Sequence, residues 1–126
     1  MIAEKAGAVK ETLLSKISNK NGVNVLIEKV DLPDANTLKQ LSFEIKNQIE
    51  ELFLVLAANI KGKPQIAVAL SDSLVKEKGL HAGNIVKALA SEIKGGGGGQ
   101  PFYATAGGQD ISGLEKVLAK AADYLK

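Results

Sequence analysis

Two nearly unbroken apolar runs, "LFLVLAANI" at residues 52–60 and "QIAVAL" at 65–70, are separated only by "KGKP". Neither run alternates apolar with polar residues, so neither suits a sheet with one wet face; each must be covered on both sides. A connection this short returns the chain antiparallel to itself. These runs are therefore expected to pair at the centre of a sheet, and the rest of the chain has to supply its cover.

The flanking segments read as that cover. Ile2, Ala6, Val9, Leu13 and Ile17 recur at helical spacing over residues 2–18, and "NKNG" stops the pattern. "VNVLIEKV" from Val23 is rich in β-branched residues and suits a strand. Asp34 or Asn36 is placed to cap a helix bearing Leu38, Leu41, Ile45, Ile49 and Leu52. Residues 71–83 read as a connector with one helical turn, followed by a helix with Ile85, Leu89 and Ile93 on one side. "FYATA" reads as a short strand, and Ile111, Leu114, Leu118, Ala121 and Leu125 mark a last helix, with Ser112 and Glu115 at the spacing of a capping box. Aromatic residues make up only 4% of the chain, so aliphatic side chains must build the core. The fold class expected is α/β (α+β), a single mixed sheet with antiparallel central strands covered by helices and preceded by an N-terminal helix. Residues 1–20 read as the end of a helical linker or subdomain, and 21–126 as one globular domain.

Composition removes several kinds of chemistry. With no cysteine and one histidine, His81, thiolate zinc sites, disulfides, cysteine nucleophiles and imidazole-rich metal sites are all out of reach. No Ser-His-Asp set and no paired carboxylates with a base stand out, and adjacent Glu50 and Glu51 read as a solvated pair at a helix–strand junction. The N-terminus lacks the apolar stretch of a signal peptide, and no run is long enough to span a membrane, so a soluble, cytoplasmic domain is expected. All 16 basic residues are lysines. Contacts to an anion must then be point charges rather than bidentate forks. The net charge is only +2, but residues 61–94 hold six lysines against three acids, which places the positive surplus just upstream of a glycine run.

That run, Gly95 to Gly99 in "KGGGGGQPFYATAGGQ", is costly in backbone entropy and needs a reason. It is not a tether between two domains, because residues 101–126 are too few to fold alone. Two readings remain: a crowded turn without room for side chains, or a loop whose uncovered N–H groups cradle an anion. A dinucleotide fingerprint or P-loop would run strand, glycines, helix; here a helix precedes and a strand follows, so a nucleotide-hydrolysing site is not expected.

"AGNIVKALASEIKGGGGGQPFYATAGG", residues 82–108, resembles the signature of the C-terminal, DHHA1-type domain of the alanyl-tRNA synthetase family. Ala82, Gly83, Lys87, Gly95 to Gly99, Pro101, Ala104, Ala106, Gly107 and Gly108 carry the match, and the order of elements extends it over roughly residues 22–126. Gln100 stands where the family usually has arginine; Phe102, Tyr103 and Thr105 replace the usual Asp-Met and Gln; Lys94 replaces a frequent glycine. The resemblance implies a non-catalytic domain that holds the tRNA elbow while the aminoacylation and editing sites act on one tRNA. It also implies that ATP and zinc belong to other domains of the parent enzyme, and that partners are alanine tRNA, those domains and, through a longer helical part, a second copy. Candidate RNA contacts on this reading are Lys78, His81, Gly83, Lys87, Lys94, Gly95, Gly96, Gly97, Gly98, Gly99, Gln100, Gly107 and Gly108. The same domain type ends DHH-family phosphoesterases, where a histidine commonly follows the glycines; Gln100 occupies that place here. A dimerisation module built on the residue 2–18 stripe is the third reading.

Overall fold

The chain runs β1 (Ser18–Lys20), β2 (Val23–Leu32), α1 (Ala35–Gln48), β3 (Leu52–Ile60), β4 (Lys63–Leu70), α2 (Asp72–Lys78), α3 (Ala82–Ala90), β5 (Gly96–Gly99), β6 (Tyr103–Gly107) and α4 (Leu114–Asp123). The computed structural model describes residues 11–20, 22–32 and 34–124. One six-stranded sheet has the order β1-β2-β3-β4-β6-β5. Only β2 and β3 are parallel, with α1 as the crossover between them; the other neighbours are antiparallel.

The unalternating runs behave as burial on both faces requires. Phe53, Val55 and Ala57 of β3 point into one apolar cluster, packed with Ile85, Leu89 and Val117 from α3 and α4. Leu52, Leu54, Leu56 and Ala58 point into the other, beneath α1 with Leu38, Leu41 and Ile45. Phe43 of α1 extends the second cover to β6 by packing on Tyr103, ring centroids 4.4 Å apart. Burial pushes the Tyr103 hydroxyl above its ordinary pKa.

Several boundaries differ from the sequence reading. Residues 11–15 are helical, but the chain is extended by Ser18, where β1 pairs with β2 in a hairpin closed by Gly22 at φ 86°. Ile2, Ala6, Val9 and Leu125 lie outside the described residues, while Leu13 is buried beneath α1. Leu52 belongs to β3 and not to the preceding helix, because the chain turns at Glu51 with φ 51°. The expected single turn in the 71–83 connector is the seven-residue α2, held by the buried Leu74. The Ser112–Glu115 capping box is absent: Asp110 accepts hydrogen bonds from the backbone N–H and the hydroxyl of Ser112, and α4 begins at Leu114 without a side-chain cap.

Asp34 does cap α1, accepting from the backbone N–H of Thr37 and from its hydroxyl, both at 2.8 Å. Those bonds hold its carboxyl below the usual aspartate pKa, and the Ser112 bonds do the same for Asp110. A depressed folded-state pKa contributes stability above the unfolded value and loses it as pH falls through the folded one. Thermal melts taken from pH 5 down to strongly acid solution should therefore fall less steeply for the Asp34→Asn, Asp110→Asn double variant, since asparagine caps without titrating. Superimposable pH profiles for variant and parent would contradict this.

Candidate nucleic-acid interface

The approach to the glycine strand is set by α3 and the 3₁₀ turn Ser91–Ile93 that follows it. Lys94 adopts φ 54°, reversing the chain, and the N–H of Gly95 donates to Ala90 O at 3.0 Å. The next four glycines are not a curled nest but an edge strand, Gly96 opposite Gly107 and Gly99 opposite Ala104. Gln100 N–H donates to Tyr103 O at 2.8 Å and closes the ladder. Alternation from that bond turns Gly98 and Gly96 toward β6 and leaves the peptide groups of Gly97 and Gly99 aimed at the sheet edge.

The absence of a side chain is required at every second position. A Cβ on Gly95 would lie 2.0 Å from Gly107 O, and one on Gly97 2.2 Å from Thr105 O. Gly99 would meet Ala104 Cα and Tyr103 O at 2.8 Å. Crowding thus accounts for Gly95, Gly97 and Gly99, which are packed against β6, whereas nothing lies within 4 Å of a Cβ on Gly96.

Helix α3 packs on the sheet face formed by β4, β6 and β5. Gly83 is buried there, where a Cβ would sit 3.0 Å from Gly99 O and 2.9 Å from the His81 ring. One turn further, the Lys87 stem runs past Gly98, its Cε 3.3 Å from where a Cβ would be. His81 is the N-cap of α3, its Nδ1 accepting from Asn84 N–H at 3.2 Å. Gly108 fits against Ile93 O, which also accepts from the N–H groups of Gln109 and Asp110.

The sequence-derived candidates are therefore gathered along one strand. His81, Gly83, Lys87, Gly98, Gly99 and Gln100 lie at one end; Lys94, Gly95, Gly96, Gly107 and Gly108 lie at the other. Lys78 stands apart from these contacts at the C-terminus of α2, exposed. Two residues absent from the candidate set also meet near the Gln100 end: Lys46 Nζ lies 5.5 Å from the Phe102 ring centroid. No sequence signal joined them, because Lys46 falls in a stretch with an acidic surplus and far from the glycines. Glu50 and Glu51 line an open cleft of about 420 Å³ with Lys46 and Asp72. Among the described residues no group of His, Asp and Glu is arranged to hold a metal ion, and no helix is long and apolar enough to cross a membrane.

The DHHA1 domain family matches residues 22–126. The chain belongs to that family. This DHHA1 domain is 45% identical over 124 residues to alanine–tRNA ligase of Cytophaga hutchinsonii, an alignment that takes in 98% of the chain and 14% of the relative. It is 38% identical over 126 residues to the ligase of Bacillus subtilis, covering all of the chain and again 14% of the relative. The chain thus spans about one seventh of the length of these relatives. Among solved structures the fold matches the C-Ala domain of Aquifex aeolicus alanyl-tRNA synthetase with a TM-score of 0.76 at 16% identity, covering 87% of this chain and 97% of that one. A DHH-domain protein assigned to a family of ribosomal proteins matches with a TM-score of 0.58 at 18% identity, over 97% of this chain and 30% of that one.

Proposed function

We propose that this DHHA1 domain is the C-terminal tRNA-binding domain of an alanine–tRNA ligase, and that it holds the tRNA elbow while the loading and editing sites act on the same molecule. The observation that carries the reading is the bare edge strand Gly96–Gly99, with Lys87 along one side and Lys94 at its entrance. Extended backbone without side chains admits a sugar–phosphate chain to its free N–H groups, and lysines add charge where phosphates pass. The domain performs no reaction itself; ATP and zinc belong elsewhere in the parent enzyme, which acts in the cytoplasm.

With lysine point charges and no arginine, affinity of the isolated domain is micromolar or weaker. Tethering to the remainder of the enzyme raises it through effective concentration. The alternative, the nucleic-acid-binding end of a DHH-family phosphoesterase, has less behind it, since the sequence matches described above, which take in nearly all of this chain, are to ligases. Footprinting on alanine tRNA tests the proposal: the elbow is protected, and Lys87→Gln lowers the salt slope by about one contact. Protection confined to the acceptor end, or none, would overturn it.

A further inference from the structure

The turn that follows the glycine strand holds an aromatic ring outside the core on an unusually well-fixed backbone. Phe102 is 38% exposed. Three backbone hydrogen bonds, each 2.8 Å, hold its turn: Gln100 N–H to Tyr103 O closes it, while Ala82 N–H at the start of α3 to Pro101 O and Leu70 N–H at the end of β4 to Phe102 O fasten it to two other elements. The backbone that carries the ring is therefore fixed in place although water reaches the side chain. Lys46 Nζ, 5.5 Å from the ring centroid, puts a positive charge on it from α1.

An anchored aromatic with an adjoining cation is the pairing that receives an unpaired nucleotide: the base stacks on the ring and the phosphate meets the charge. Resting on the RNA-binding reading above, we infer that Phe102 and Lys46 form a stacking site for one unpaired base, beyond the end of the glycine strand. The strand itself offers only peptide groups and follows the backbone of either paired or unpaired RNA. Phe102 adds a preference for a base free of its helix.

The chain has no tryptophan, so Phe102→Trp introduces a single reporter at the site. The probes are a hairpin RNA with an unpaired loop and a fully paired duplex with the same number of phosphates. Trp emission should be quenched by the hairpin and not by the duplex. Phe102→Ala should lose at least about fivefold in hairpin affinity with duplex binding unchanged, and Phe102→Tyr should retain it. Thermal melts of each variant check that the turn still folds. If Phe102→Ala binds both RNAs as the parent does while Lys87→Gln weakens both, this inference fails and RNA binding stands. Equal losses toward both RNAs would also overturn it, by assigning Phe102 a structural role. If the parent binds neither RNA, both readings fall.

Discussion

Raising salt from 50 to 200 mM should weaken tRNA binding by this domain about 20- to 500-fold, as expected when three to five phosphates are neutralised with a log–log slope of roughly −2 to −4.5. The range follows from what the surface offers. Lys87 and Lys94 flank β5 directly, Lys46 stands beyond its Gln100 end and exposed Lys78 lies further off, four cations in all. A slope near zero in a titration series at fixed pH would mean that lysines take no part. A slope much steeper than about −5 would require more cations than this face carries.

Neighbouring glycines of β5 should respond to alanine in opposite directions. Gly97→Ala places a methyl group 2.2 Å from Thr105 O and 2.5 Å from Ala106 Cα, backbone atoms that no rotamer change can move aside. The cost is about 3 kcal/mol, as overpacking or as detachment of β5 from β6, and lowers Tm by about 10 °C. Gly96→Ala meets nothing within 4 Å and needs no left-handed backbone, so it should stabilise by about 0.4–1 kcal/mol through the unfolded chain. Melts of the two variants side by side decide the matter. Equal shifts would mean that β5 is not held against β6 as described.

The centre of this fold was legible because β3 and β4 are covered on both faces, and a strand so covered shows it in every residue from Leu52 to Ala58. The glycine strand was not. Strands are read from side chains, and glycine has none; what makes Gly96–Gly99 extended is its pairing with β6, a partner met only in the fold. The cap of α4 was misassigned for a related reason: Ser112 has the right spacing to Glu115, but Asp110 engages it first. For the candidate site, the glycines and Lys87 were proposed from one contiguous stretch, and the fold brings them together along β5. The Lys46–Phe102 contact joins residues far apart in sequence, and no local pattern reports such a pair.

Side chains normally tell a strand which of its neighbour's residues to face, since a slip by one turns the wrong side inward. A run of identical glycines carries no such instruction. Here alignment is imposed from outside, by the Gly95–Ala90 bond where the run begins and the Gln100–Tyr103 bond where it ends. The number of glycines thus acts as a ruler cut to the gap between two fixed posts, so that a single insertion or deletion would change no chemical group yet put the whole strand out of step.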